Sequence, residues 1–320
     1  MNKKKIIKIS YFHRSADMSR YFSKEYFQEY IFEINNPNCI KCDFWFVFGG
    51  LTNSLERAEV NPNNVFLFTA EFDGAYNQKF LNQFSKVFTA DTKLQGENIE
   101  YFHLGNPWFI QKSFDDLYYQ ENVRKTKLLS VVASDTSYIT YNRNYKIRYN
   151  FVIALQKNFG NDIDIFGRGF REIENKDDGL FPYKYSVAIE NMPIPFNISE
   201  KLSDCFLTHT FPLYYDCPNI NRFYNEKSFV KLDIMDHSYS LRLIEKILET
   251  ENHYEDNLQY VVEAKKSYLL NYSFQAIFVK ASERFGIYNE MKKTVVLKRD
   301  NKLRSRVKLK IIDLVYNYFK

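Results

Sequence analysis

The sequence predicts an α/β protein with two lobes, each a parallel sheet flanked by helices or loops. Short apolar strand-like runs alternate with polar or helix-like segments from residue 6 to residue 107, and the same alternation starts again at residue 128. A mostly charged segment, residues 116–127, separates the two halves. The length of 320 residues is also typical of two domains.

The first half contains five strand-like runs and one helix-like run. Residues Ser19–Phe32, between the first two strands, have the pattern of a helix. The predicted strands are Ile6–Phe12, Cys42–Gly50, Asn64–Phe72, Lys86–Asp91 and Ile99–Pro107. We take residues 1–125 as the N-terminal lobe.

The second half repeats the order of strand and helix. We predict helices at Tyr145–Phe159 and Asn197–His209, and we assign residues 126–285 to the C-terminal lobe. The predicted strands are Leu128–Ser134, Asp162–Gly169, Tyr183–Asn191 and Phe211–Asp216.

Composition excludes several classes of protein. With 45% hydrophobic residues the chain can bury a core. It contains no run of ~18 apolar residues, so the sequence predicts no membrane span. Four irregularly spaced cysteines do not make a secreted disulfide framework, so we expect a cytoplasmic protein. The pair Cys39 and Cys42 has no second pair and no nearby histidine, so we predict no metal site.

The last segment, residues 286–320, is basic. It holds ten Lys or Arg and three Asp or Glu, a net charge of +7, whereas the whole chain carries +5. From Lys302 onward, apolar residues recur every fourth position as in a basic amphipathic helix, namely Leu303, Val307, Ile311 and Val315. Two alternatives stay open: a helix on the anionic inner face of the cytoplasmic membrane, and a helix packed on the body with a solvated basic face.

The segment Glu190–Leu202 carries the strongest local signal. A predicted strand ends in Glu190 and Asn191, and the spacing of Asn197 and Glu200 predicts a capped helix start. Helix starts beside strand ends bind anions, and Lys201 adds a positive charge where the helix dipole alone favours a negative one. An anionic ligand such as a diphosphate explains that lysine, and an ordinary capped helix with an exposed lysine is the alternative.

Three stretches of this region resemble the α1,3/1,4-fucosyltransferases of glycosyltransferase family 10, especially the bacterial enzymes that build Lewis-type glycans. They occur in the family's order between Tyr183 and Ile234: "YKYSVAIEN", "NISEKLSDCFLTHTFPLYY" and "NEKSFVKLDI". Upstream, "DIFGRG" and "FLFTAEF" are similar to further elements of the family.

The resemblance implies a GT-B fold with two Rossmann-like lobes and the active site in the cleft between them. It also implies an inverting transfer of L-fucose from GDP-fucose to a hydroxyl of a glycan acceptor, with no cofactor beyond the donor substrate. We expect a GlcNAc-type acceptor, an α1,3 linkage and a lipid-linked or surface glycan such as lipopolysaccharide.

By position in the family's motifs, Glu71 is implied as the general base. Arg148 and Lys201 are implied as contacts of the diphosphate. The other implied donor-binding positions are Glu190, Asn191, Asn197, Ser199 and Glu200. The residue types suit this chemistry, because transfer needs one carboxylate to take the acceptor's proton and cations to neutralise the departing diphosphate.

Departures from the family pattern leave rivals open. Asp73 is a second candidate base two residues after Glu71. Asn197 stands where the family usually has tyrosine, which leaves open a different nucleotide-sugar donor. Ala70 stands where the family has glycine, which leaves open a different fit of the acceptor. From another class, the basic tail and the many aromatic residues suit a polyanion-binding protein, but the rest of the chain has a net charge of −2, so we expect no nucleic-acid partner.

Overall fold

The computed structural model describes residues 3–12, 17–71, 75–136, 143–215, 217–288 and 291–300. The strands of this part of the chain are, in chain order, β1 (Lys5–Tyr11), β2 (Tyr30–Ile34), β3 (Phe44–Phe48), β4 (Leu55–Val60), β5 (Val65–Phe68), β6 (Lys86–Thr89), β7 (Ile99–Tyr101), β8 (Lys127–Val132), β9 (Ile163–Phe166), β10 (Tyr183–Ile189), β11 (Phe211–Tyr215), β12 (Val230–Lys231) and β13 (Lys293–Lys298).

The helices of the same part are α1 (Gln78–Leu81), α2 (Phe114–Tyr119), α3 (Arg143–Phe159), α4 (Glu200–Leu207), α5 (His237–Glu249), α6 (His253–Ser267) and α7 (Phe274–Phe285). A π-helical turn, Tyr268–Tyr272, follows α6. Short 3₁₀ helices lie at Ser19–Tyr21, Pro62–Asn64, Gly160–Asp162, Lys176–Gly179, Ile220–Arg222 and Glu226–Ser228.

The chain forms two compact units. The first contains residues up to Gly105, the short segment Ser113–Asp115 and the chain from Asn271 onward, whereas the second contains Asn106–Lys112 and Asp116–Leu270. These units differ from the predicted segments 1–125 and 126–285 chiefly at α7. The physical reason is that aromatic residues of α7 pack on the first sheet: Phe278 lies 5.0 Å from Phe46 between ring centroids.

The first unit is built on a six-stranded parallel sheet in the order β2-β1-β3-β5-β6-β7. Its central strands are apolar on both faces, as expected for a sheet that is covered on both sides. One face packs on α7, and the other packs on α1 and on a two-stranded antiparallel sheet of β4 and β13.

The second unit is built on a five-stranded parallel sheet in the order β12-β11-β10-β8-β9. The strand β8, which comes first in the chain, lies between β9 and β10. The connections from β8 and from β9 therefore lead to opposite sides of β8, which makes the carboxyl ends of β8 and β10 a topological switch point where ligands bind in open α/β sheets.

One sequence prediction of local structure is wrong. The helix predicted for Ser19–Phe32 is a 3₁₀ turn at Ser19–Tyr21, an irregular segment and then β2. The tail predicted to begin at residue 286 contributes β13, which pairs with β4 because its apolar residues, such as Leu297, complete the core of the first unit. The predicted amphipathic helix from Lys302 lies outside the described residues.

Candidate functional site

Seven of the eight predicted site residues lie at the carboxyl edge of the second sheet. Arg148 belongs to α3, which follows β8, and Glu190 and Asn191 directly follow β10. Asn197 and Ser199 lead into α4, whose first residues are Glu200 and Lys201. We call these seven residues the candidate donor site.

Arg148 is buried, with 7% of its surface exposed. One of its terminal nitrogens donates a hydrogen bond to the Asn191 side-chain oxygen, while its Nε has no hydrogen-bond partner among the described residues. No described carboxylate lies within ion-pair distance of the guanidinium, and burial lowers its pKa against the opposing effects of Tyr145, Glu200 and Glu190. A buried cation without an ion-pair partner is energetically costly, so this position suits an anionic ligand.

Glu190 holds the start of α4 in place. Its carboxylate accepts hydrogen bonds from the backbone nitrogen of Ser199 at 2.9 Å and from the Ser199 hydroxyl at 2.6 Å. The Tyr214 hydroxyl donates to the same carboxylate at 3.2 Å. Burial raises the pKa of Glu190, against the opposing effect of the nearby Lys201 ammonium. Glu190 therefore acts as a brace for the loop and helix of the site.

The first turn of α4 differs from the sequence prediction in one detail. The helix begins at Glu200, and its N-cap is Ser199, whose hydroxyl accepts from the backbone nitrogen of Lys201 at 3.3 Å. Asn197, predicted as the cap, instead donates from its side-chain nitrogen to the Met192 carbonyl at 2.9 Å. Asn197 therefore closes the loop between β10 and α4.

Lys201 has a partner inside the protein. Its Nζ lies 3.0 Å from a carboxylate oxygen of Glu200 and 3.2 Å from the Ser199 hydroxyl. Burial alone would raise the pKa of Glu200, but the Lys201 and Lys176 ammonium groups lower it to about 2. The unusual lysine in the first turn is thus explained in part by Glu200, and Arg148 gives the stronger indication of an anionic ligand.

Residues that the sequence did not single out complete this region. Lys176, in a loop that looks solvated in the sequence, lies 2.7 Å from the carboxylate of Asp204, which is fully buried in α4. Burial raises the pKa of Asp204 to about 6, although Lys176 opposes the shift. Lys176 and Asp204 are 28 positions apart, so no local sequence pattern could have predicted that they form an ion pair.

Glycines 167 and 169 shape the wall beside β8. Both have positive φ, +125° and +84°. A Cβ on Gly167 would lie 2.4 Å from the Ala133 carbonyl oxygen, and one on Gly169 would lie 2.5 Å from the Asp135 Cβ. The loop after β9 thus packs directly against the loop after β8, and only glycine fits both the positive φ and the close contact at these positions.

Glu71 lies in the first unit, three residues beyond the end of β5. The backbone before it is fixed, because the Ala70 nitrogen donates to the Tyr76 hydroxyl at 2.9 Å and that hydroxyl donates to the Gly49 carbonyl at 2.9 Å. Glu71 is half-buried. Its rival Asp73 lies outside the described residues.

The described residues hold neither a metal-binding cluster nor a membrane-spanning helix. Among them, no group of three or more His, Cys, Asp or Glu side chains is arranged to hold a metal ion. Within the same ranges, the helices are too short or too polar to cross a membrane.

The chain was compared with known proteins. No protein-family model matches it. The α1,3-fucosyltransferase FucT of Helicobacter pylori is 28% identical over 169 residues, which are 48% of this chain and 34% of that enzyme. Crystal structures of α1,3-fucosyltransferase with GDP and with GDP-fucose match at TM-scores of 0.51, with 20% and 21% identity; the matches cover 87% and 90% of this chain and 90% and 93% of those chains.

The chain resembles the α1,3-fucosyltransferases in sequence and in fold. The predicted resemblance is therefore confirmed, and so is the α/β fold of the GT-B class. The match to the curated relative spans only about a third of that enzyme's length.

Proposed function

We propose that this chain is a glycosyltransferase that moves L-fucose from GDP-fucose to a hydroxyl of a glycan acceptor, with inversion at the anomeric carbon. The observation that carries the proposal is the buried guanidinium of Arg148 at the switch point of the second sheet. It forms no ion pair with the described residues and its Nε has no hydrogen-bond partner among them, and a nucleoside diphosphate would supply both. The sequence similarity to an α1,3-fucosyltransferase supports fucose as the transferred sugar.

In this proposal the candidate donor site holds the diphosphate. Arg148 donates to the phosphate oxygens through its free Nε, and the start of α4 contributes its backbone N–H groups and positive dipole end. Lys201 turns from Glu200 toward the phosphates or shares its charge between them. These groups stabilise the negative charge that GDP gains as it leaves, which lowers the barrier to transfer.

Glu71 is the proposed general base. The acceptor hydroxyl oxygen attacks the anomeric carbon of fucose from the side opposite the diphosphate. The new C–O bond forms as the bond to the β-phosphate oxygen breaks, the hydroxyl proton passes to the Glu71 carboxylate, and GDP leaves with the bonding electron pair. Such a base contributes a factor of roughly 10²–10⁴ in rate.

We also propose a GlcNAc-type acceptor with an α1,3 linkage, in a lipid-linked or surface polysaccharide. The name of the curated relative supports the linkage. The net charge of +7 on residues 286–320 supports a cytoplasmic enzyme that attaches to an anionic membrane surface. Sedimentation with anionic vesicles tests this attachment, because a chain lacking residues 302–320 should lose it.

A donor assay tests the proposal. The purified chain is given GDP-fucose, GDP-mannose or UDP-galactose with N-acetyllactosamine, and both transfer and hydrolysis are measured. We expect turnover of GDP-fucose alone. Turnover of another donor would support the alternative that the asparagine at position 197 motivates, and no turnover of any donor would refute the enzymatic function.

A further inference from the structure

The first unit contains a cleft of about 610 Å³ along its edge strand β2. This volume is within the ~300–1,000 Å³ range of small-molecule sites. The cleft runs from Lys4, just before β1, to Asn35, just after β2. None of the eight predicted site residues lines it.

Most of the cleft is lined by the segment Ser19–Phe32, which is irregular instead of forming the predicted helix. Asp115 accepts hydrogen bonds from the Ser23 hydroxyl and, at 2.9 Å, from the Lys24 backbone nitrogen, which holds this segment in an irregular path. Phe27 has a φ of +61°, a left-handed conformation that is rare for a bulky residue. Strain of this kind persists where the surroundings impose it, and it is concentrated at ligand sites.

The lining combines aromatic faces with polar groups. Five aromatic side chains contribute to it, four of them half-buried: Phe22, Tyr26, Phe27, Tyr30 and Phe32. Their faces are apolar surface that a flat apolar group can cover. Around them one serine hydroxyl and the amides of two glutamines and an asparagine line the cleft, while the Ser23 hydroxyl is bonded to Asp115.

Gln275 is a buried polar residue that lines the cleft. It is 1% exposed, and its side-chain oxygen accepts from the Ser23 backbone nitrogen at 2.9 Å. Its amide nitrogen can donate two further hydrogen bonds. A ligand in the cleft with acceptor oxygens can take these hydrogen bonds.

The charge of the lining selects the kind of ligand. Two lysines and one aspartate, Lys4, Lys24 and Asp17, give a net charge of only +1. A nucleotide would need more positive charge, and a lipid chain would leave the polar groups unpaired. A sugar ring fits both features, because it has apolar C–H faces for the aromatic rings and hydroxyls for the amides.

The position of the cleft relates it to Glu71 within the first unit. One end of the cleft, at Asn35, follows the carboxyl end of β2 and lies at the same edge of the parallel sheet as Glu71, three strand spacings or ~14 Å away. The other end, at Phe27 and Gln28, precedes β2 and lies at the amino edge, one five-residue strand or ~17 Å farther along. A linear oligosaccharide of about six sugars can run along the cleft and reach Glu71.

We propose that the β2 cleft is a second sugar-binding subsite, which holds a distal residue of the acceptor oligosaccharide while its reacting hydroxyl lies at Glu71. The inference rests on the proposed transfer to a glycan. It predicts that the enzyme prefers long acceptors, since two linked contacts on one molecule bind more tightly than either alone.

The test measures binding of an N-acetyllactosamine disaccharide and of its linear hexasaccharide by calorimetry without donor. We expect the hexasaccharide to bind at least about tenfold more tightly to the unmodified chain. Phe27→Asn removes one aromatic face but keeps a residue that tolerates positive φ, so the fold is retained and the ratio should fall to about 1–3. Tyr101→Ala removes an exposed aromatic ring on the opposite edge strand and should keep the full ratio.

A second variant tests the cleft independently, in case Phe27→Asn does not fold. Gln28 is an exposed lining residue, and the native cysteines are buried, so a maleimide adduct on Gln28→Cys fills the cleft selectively. It should reduce hexasaccharide binding to the level of the disaccharide. Equal binding of both glycans to the unmodified chain, no binding of either, or a ratio that survives both variants would overturn the subsite. GDP-fucose turnover in the same preparation reports separately on the proposed function.

Discussion

The substitution Arg148→Met distinguishes the effect of the buried cation on stability from its effect on ligand binding. The substitution keeps an unbranched side chain but removes the guanidinium. In the chain without ligand, it also removes the hydrogen bond to Asn191, worth about 1 kcal/mol. Replacing buried ion pairs by apolar residues is neutral or gains about 1–4 kcal/mol in other proteins, so for this single buried cation we expect the free energy of unfolding to stay constant or rise by up to about 2 kcal/mol.

The same substitution should weaken binding of GDP. A hydrogen bond to a charged group contributes about 1.5–3 kcal/mol, so the loss of Arg148 should raise the Kd of GDP by about 10–150-fold. Urea unfolding measures the first effect and calorimetric titration with GDP the second. Arg171→Met is the matched control, because Arg171 is 63% exposed and pairs at the surface with Asp164. It should change the free energy of unfolding by less than about 1 kcal/mol and leave GDP binding unchanged.

Opposite signs of these two effects identify a ligand-binding residue. A loss of more than about 3 kcal/mol of stability in Arg148→Met with unchanged GDP affinity would refute the reasoning. The guanidinium would then be a structural element, and the donor would have to bind elsewhere.

Three further predictions concern the base, the acid stability and a tight turn. Glu71→Gln should lower the rate of transfer at least about 100-fold with GDP-fucose binding retained, whereas Asp73→Asn should remain active; the opposite result would make Asp73 the base. Burial, assisted by nearby lysines, lowers the pKa of His209 to about 3, so the stability that its neutral form provides is present above pH 6.5 and is lost as the pH falls below it. From pH 7 to pH 5 the unmodified chain should lose about 2 kcal/mol through this group, and His209→Asn, which tolerates the observed φ of +56°, should remove that loss in urea titrations. Gly167→Ala places a methyl group against a backbone carbonyl and should lower the free energy of unfolding by more than about 2 kcal/mol. Gly160→Ala, which has open space around it and a φ of +53°, should lower it by about 1–2 kcal/mol. Thermal unfolding measures both, and equal losses would contradict the contact at Gly167.

The strands and the order of the candidate donor site could be predicted from the sequence because their signals are local. Apolar runs such as Phe44–Phe48 have the length and composition of buried strands, and the motif from Glu190 to Lys201 is continuous in the chain. Each predicted strand overlaps an observed one, but the strand predicted for Ile99–Pro107 already ends at Tyr101, and β2, β4, β12 and β13 were not predicted.

What the sequence could not predict depends on distant partners. The pattern of Ser19–Phe32 is compatible with a helix, but Asp115, more than 80 positions away, takes the hydrogen bonds of that segment. Ser199 replaces Asn197 as the helix cap because Glu190 holds its backbone and hydroxyl. The ion pair of Lys176 and Asp204 likewise joins positions that no local pattern connects.

The first unit is closed by residues from both ends of the chain. The aromatic face of its sheet is covered by α7, which follows the whole second unit in the sequence. During synthesis on a ribosome, the face of the sheet that α7 covers therefore stays exposed until more than 270 residues have been translated. The second unit can fold before that point. Nascent chains that stall before Phe274 should thus be the form of this protein that depends most on chaperones.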